Sequence, residues 1–226
     1  MKTSVMILIL LAAFGTTVDA AENPQRPLRV AFVLSERFAM IDFAGPWEVF
    51  SDTTLPGTSA PERPAYDLYT VSSSAMPVHS EGGALLVPKF TLTNAPRPDL
   101  IIIGAQTDRS PSLLAWLRQE YADGVTLASI CTGADQLATA GLLDGRKATT
   151  HHDYIAPFRK RFPRVEWLEG RRFVQNGARL YTAGGLTSGV DLALYLVSEH
   201  FGRPAAIKTA GLMEYLSDAW RASTTP

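Results

Sequence analysis

Hydrophobic residues along this chain fall into short apolar runs that alternate with segments of helical spacing. Runs of the buried-strand type lie at 28–34 (LRVAFVL), 100–103 (LIII) and 125–130 (VTLASI). Between and after them, helices are predicted over 111–121 and 188–200. This alternation predicts an α/β fold with a doubly wound, mostly parallel sheet flanked by helices.

The pattern changes from strand to helix at the chain's single cysteine, Cys131. Small residues, Ser129 and Gly133, flank it, and apolar residues follow on one helical face over 134–141. A strand that turns at once into a helix is typical of a nucleophile elbow, with Cys in place of Ser. The helix N-terminus is expected to favour the thiolate. The alternative is a buried, inert thiol.

Two further loops are expected at the same edge of the sheet. Asp42 lies after the first strand, just before a helix predicted to have Pro46 in its first turn. Asp42 is a candidate acid, and the alternative is a turn or helix cap. After the strand at 100–103 comes Gly104-Ala105-Gln106, whose backbone N–H groups are expected to point into the same crevice.

The N-terminus has the pattern of a secretory signal over residues 1–20, with Lys2 before an apolar run and a small-residue site at 18–20. The alternative is an uncleaved anchor. Export predicts a periplasmic or secreted protein with no membrane contact after cleavage. A lone cysteine in an oxidising compartment favours a functional thiol.

Composition indicates one globular domain. The chain has 226 residues, 46% of them hydrophobic, and a net charge of −1. We predict a linker at 21–27 and an α/β domain at 28–222. Adjacent His151 and His152 are interpreted as structural, with no metal site, and Asp191 as a helix cap. Apolar residues over 212–220 need cover from the core or from a partner subunit.

Three stretches together resemble the ThiJ/PfpI superfamily, which has the class I glutamine amidotransferase-like, flavodoxin-like fold. They lie at 41–50, 129–152 and 182–202. They are most similar to isocyanide hydratases and to the sensor domains of AraC-type regulators. The resemblance implies a homodimer.

The resemblance also implies roles for single residues. Cys131 is the nucleophile and Asp42 the acid that bonds its sulfur. Thr132 fills the position after the cysteine where protease-like relatives often carry His, which argues against a Cys-His dyad. Gly104-Ala105-Gln106 replaces the Pro-Gly-Gly turn usual in hydratases, so the oxyanion contacts differ, and Gln106 is a candidate donor.

The favoured function is a cysteine-dependent, isocyanide hydratase-like lyase that adds water to a small electrophile through a thioimidate and needs no cofactor. The alternative is a non-catalytic small-molecule or redox-sensing module. A transcriptional regulator is the weakest of the three, because the sequence ends at Pro226 and carries an export pattern. No nucleic-acid partner is expected.

Overall fold

A computed structural model describes residues 26–55 and 63–222 of the chain. The strands are β1 (Leu28–Val33), β2 (Tyr66–Ser72), β3 (Val78–His79), β4 (Leu85–Leu86), β5 (Phe90–Thr91), β6 (Leu100–Ile103), β7 (Thr126–Ile130), β8 (Lys147–Ala148), β9 (Glu166–Trp167), β10 (Phe173–Asn176) and β11 (Leu180–Ala183). The α-helices are α1 (Met40–Ser51), α2 (Pro111–Ala122), α3 (Ala134–Thr139), α4 (His152–Arg161), α5 (Ser188–Phe201) and α6 (Arg203–Leu212). Short 3-10 turns cover Cys131–Gly133 and Ala219–Arg221.

Seven strands form one central sheet in the order β10-β11-β7-β6-β1-β2-β5. All neighbours pair in parallel except β10 and β11, which form an antiparallel pair at one edge. Two small two-stranded sheets, β3-β4 and β8-β9, lie outside it. The predicted doubly wound, mostly parallel α/β fold is confirmed.

Side chains of the central strands alternate between two apolar layers. On β1, Val30 and Phe32 join the core under α1, α5 and α6, whereas Ala31 and Val33 join the core under α2, α3 and α4. Both faces of the sheet are therefore covered by helices, as a parallel sheet requires. These two cores hold the central strands in place, and the loops of the site extend from the ends of those strands.

The functional loops emerge from one edge of this sheet. Val33, Ile103 and Ser129 lie side by side in the register of β1, β6 and β7, and Ala183 of β11 pairs with Ile130. The segments that follow these residues carry Asp42, Gly104, Cys131 and Gly184. In open α/β sheets this carboxyl-terminal edge is where ligands bind.

Two local predictions are wrong. The helix expected to start near Pro46 starts at Met40, so Pro46 lies inside α1 and Asp42 lies in its first turn. Asp191 does not cap α5, because Thr187 precedes that helix and makes no capping hydrogen bond. Asp191 is buried, and its carboxylate accepts a hydrogen bond from Arg172 Nε at 2.6 Å.

The apolar C-terminal segment divides between core and solvent. Trp220 is buried, and Met213 and Tyr215 pack against the core under α5. Leu212 and Leu216 remain 65% and 92% exposed. The segment therefore closes part of the protein's own core and leaves two leucines open to a partner.

Candidate active site

Cys131 lies at a strained strand-to-helix turn. Its φ angle is +56°, in the left-handed region that non-glycine residues rarely adopt. Hydrogen bonds hold both of its peptide groups, since its N–H donates to the Gly184 carbonyl at 3.0 Å and its own carbonyl accepts from Thr150 Oγ1 at 2.8 Å. The elbow geometry predicted from the sequence is present.

Gly133 explains how the turn fits against the neighbouring strand. A Cβ at this position would lie 2.1 Å from the carbonyl oxygen of Ile103. Any larger residue forces the elbow away from β6. The small residue two positions after the cysteine is thus a packing requirement.

The carboxyl group of Asp42 faces the thiol of Cys131. Asp42 is buried, and its Oδ2 accepts a hydrogen bond from the Ala105 N–H at 3.0 Å. The Cys131 thiol and the Leu186 N–H also approach this carboxyl group. Among the described residues, however, Oδ1 has no hydrogen bond of ordinary geometry. The structure therefore brings together the two residues that the sequence proposed as a pair.

Burial sets the protonation of this pair. It raises the pKa of Asp42 to about 6, against the lowering effect of the Ala105 N–H. Burial and the neighbouring Asp42 charge raise the pKa of the Cys131 thiol to about 12. At neutral pH the thiol is protonated and the carboxyl group is mostly ionised.

The expected thiolate at rest is therefore wrong. The helix expected to stabilise the thiolate, α3, has only six residues and begins three positions after Cys131. Cys131 is only 7% exposed, and the dipole of so short a helix at this distance does not offset the cost of burying a charged sulfur.

The backbone donors around the sulfur come from the elbow itself and from the loop before α5. The N–H groups of Thr132 and Leu186 approach the Cys131 sulfur. The Ala105 N–H, expected as an oxyanion donor, is already bonded to Asp42. Gly104 serves close packing, because a Cβ there would lie 2.7 Å from the Asp42 Cβ.

Gln106 has an unusual environment. Its side chain is 6% exposed, and neither amide atom has a hydrogen-bond partner among the described residues. Its backbone carbonyl accepts from Gln136 Nε2 at 3.2 Å. Its role as a donor to substrate stays a prediction.

Leu186 is the residue of this site that sequence reasoning missed. Its φ is +56°, and its N–H reaches both the carboxyl group and the sulfur. A backbone donor has no side-chain signature. The nearest signal is Gly184-Gly185, which marks a tight turn before α5.

A cavity of about 360 Å³ lies beside the loop that carries Leu186. His151 and His152 line it at the start of α4. With Asp153 they are the one group in the described part of the chain whose three ligand atoms lie close enough to hold a metal ion, within 4.8 Å of one another. His152 and Asp153 are exposed, so this group resembles a surface cluster rather than a closed metal site.

Residues 28–199 match the family model described as the DJ-1/PfpI family. The chain belongs to the DJ-1/PfpI family. An isonitrile hydratase from Pseudomonas putida is 30% identical over 196 residues, which cover 83% of this chain and 78% of that protein. A ThiJ/PfpI family protein from Pseudomonas syringae has a similar crystal structure, with a TM-score of 0.71, 24% identity and coverage of 92% and 83% of the two chains.

Other relatives of this chain are transcriptional regulators. The HTH-type transcriptional regulator CdhR of Pseudomonas aeruginosa is 33% identical over 149 residues, which cover 64% of this chain and 44% of the regulator. The chain thus spans less than half of that relative. Family membership alone does not choose between a hydratase and a regulatory module.

The signal-peptide prediction requires correction. Residues 1–20, and most of the predicted linker 21–27, lie outside the described residues. In the part of the chain that the structure describes, no helix is long and apolar enough to cross a membrane. Neither the family match nor the relatives support a signal peptide or a periplasmic protein. The redox reason for a functional Cys131, which rested on export, no longer applies.

Proposed function

We propose that this protein is a cysteine-dependent hydratase that adds water to a small electrophilic carbon, such as that of an isocyanide, to give an N-formamide. The observation that carries the proposal is the buried contact between the Asp42 carboxyl group and the Cys131 thiol at a strained elbow. The similarity to isonitrile hydratase supports the same chemistry.

The protonation of the pair assigns the first step. With the thiol protonated and Asp42 ionised, Asp42 acts as a general base when the sulfur attacks. The S–H proton passes to Asp42 as the C–S bond forms at the terminal carbon of the isocyanide. Asp42 then gives this proton to the same carbon, which produces a thioimidate, R–N=CH–S–Cys131.

Water completes the reaction. Asp42 accepts one proton from water as the water oxygen adds to the thioimidate carbon, and it passes that proton to the nitrogen. The C–S bond then breaks as the carbonyl forms, the second proton of the water passes through Asp42 to the sulfur, and the N-formamide leaves. The N–H groups of Thr132 and Leu186 are placed to stabilise charge near the sulfur during these steps.

A formamide-release assay with cyclohexyl isocyanide tests the proposal. Cys131→Ala is expected to abolish turnover, and Asp42→Asn to lower kcat strongly because an amide cannot accept the thiol proton. In the wild type, kcat/KM is expected to fall as the pH drops through about 6, where Asp42 becomes protonated. Absence of Cys131-dependent formamide from reduced protein rejects the hydratase.

A second candidate function is a small-molecule or redox-sensing module related to the sensor domains of regulators. The specific observation in its favour is the protonated, buried thiol, which is poorly nucleophilic at rest and therefore fits a non-catalytic small-molecule module better than a peroxide-reactive sensor. The formamide-release assay and mass spectrometry after peroxide treatment separate the functions. A binding module is expected to show neither turnover nor rapid oxidation of Cys131, whereas rapid oxidation without turnover indicates a redox sensor.

A further inference from the structure

The cavity beside the Leu186 loop carries positive charge. Arg171 and Arg172 line it, together with His151, and no Asp or Glu is among its described lining residues. Arg172 is bonded to the buried Asp191 and to Thr187 Oγ1, so its charge is partly neutralised. Arg171 is exposed and has no ion pair with any described residue.

The Asp42 carboxyl group, which the N–H of Leu186 approaches, is one acidic group near this cavity, and Asp153 is another. It lies outside the lining, at the exposed start of α4, where its oxygens are 3.6 Å from His151 Nδ1 and 3.2 Å from His152 Nε2. Its interactions are with the histidines rather than with Arg171. The guanidinium of Arg171 therefore remains available to a ligand.

Ser188 provides an independent sign of a ligand. It lines the cavity, it is 4% exposed, and its hydroxyl has no hydrogen-bond partner among the described residues. Its oxygen is not one of the fully enclosed polar atoms that lack a partner, so it keeps access to the cavity that the residue lines. An acceptor atom of a bound molecule would satisfy it.

The cavity and the reactive pair share one loop. Gly184 accepts the N–H of Cys131, the N–H of Leu186 reaches the sulfur, and both residues line the cavity. The cavity therefore borders the loop that contacts the sulfur, while Cys131 and Asp42 themselves lie outside its lining.

We propose that this cavity binds a carboxylate group of the substrate, with Arg171 as the ion partner and Ser188 as a hydrogen-bond donor. The inference rests on the proposed hydratase function and names its substrate class, a small electrophile that carries a carboxylate. Arg171 is then a specificity residue that does not touch the reacting atoms. A guanidinium and a hydroxyl are suitable partners for the two oxygens of a carboxylate.

Calorimetry on the full-length Cys131→Ala protein tests binding without reaction. The probes are isocyanoacetate and its neutral methyl ester, which differ only in the charge. Isocyanoacetate is expected to bind at least tenfold more tightly, with an advantage that shrinks as salt is added. Arg171→Gln in the same background should remove the advantage. Arg118→Gln, the same charge change at an exposed position of α2, should leave it intact.

The outcomes separate this inference from the hydratase itself. Equal binding of the two probes, no binding of either, or a preference that survives Arg171→Gln overturns the carboxylate site. Wild-type protein that hydrates both probes with equal kcat/KM keeps the hydratase and rejects the site. Arg171-dependent binding of isocyanoacetate without formamide release keeps the site and rejects the hydratase.

Discussion

Replacing Asp42 with Asn should stabilise the fold at neutral pH while it removes the general base. An ionised carboxylate is unfavourable in its buried position, and this is why the pKa of Asp42 rises to about 6. A neutral amide of nearly the same shape avoids that cost and can still accept the Ala105 N–H. Function and stability therefore oppose each other at this residue.

The magnitude follows from the two pKa values. The folded protein binds the proton of Asp42 with a pKa of about 6, against 3.8 as the ordinary value. Each factor of ten is worth about 1.4 kcal/mol, so the ionised group costs the fold about 3 kcal/mol above pH 6. Because the pKa is raised, this cost disappears as the pH falls through 6 toward 3.8.

Urea unfolding of wild type and Asp42→Asn at several pH values between 4 and 8 measures the effect. The stability difference between the two proteins should grow by about 2 kcal/mol, in favour of the variant, from pH 4 to pH 8. Any constant packing effect of the amide cancels in this comparison. His200, whose pKa burial lowers to about 4, is common to both proteins and also cancels.

Parallel stability curves across this range would refute the reasoning. They would mean that Asp42 ionises at its ordinary pKa in the folded protein, and that the general-base role needs another explanation. A variant that does not fold at any pH would also contradict the prediction, because the amide is expected to fit.

Three further predictions concern the elbow, the thiol and the exposed leucines. Gly133→Ala should destabilise the fold by about 3 kcal/mol or more, whereas Gly211→Ala, in open space on α6, should be neutral or stabilising by up to about 1 kcal/mol in urea unfolding. Iodoacetamide labelling of folded Cys131 should rise only well above pH 8.5, and a lower midpoint argues against the raised pKa. Light scattering should show twice the chain mass, and Leu216→Glu should reduce it; a monomeric wild type rejects the dimer.

Much of the fold was predictable because several of its central strands are short runs of apolar residues. The LIII segment of β6 and the apolar run before Cys131 leave few alternatives to buried parallel strands. The elbow was also predictable, because the glycine at position 133 is required by close packing. A Cβ there would lie 2.1 Å from the backbone carbonyl oxygen of Ile103. Both features are marked by residues that are neighbours in the chain, so they can be recognised from one sequence alone.

The missed features depend on distant contacts. The start of α1 at Met40 lacks a capping side chain, since Ala39 precedes it. Asp191 had cap spacing, but Arg172, 19 residues earlier, pairs with it instead. The pKa of Cys131 depends on its burial and on the charge of Asp42, which is far away in the sequence, and no spacing around the cysteine reveals either.

The reactivity of the single buried thiol can also be used to measure local opening of the elbow. Because Cys131 is the only cysteine in the chain and only 7% exposed, a disulfide reagent too bulky to enter the site as a small substrate does can react with it mainly through states in which the elbow has opened. The reaction rate under native conditions therefore gives the opening free energy of this one turn. Comparison with global unfolding then shows whether the strained turn opens alone or only when the whole sheet is lost.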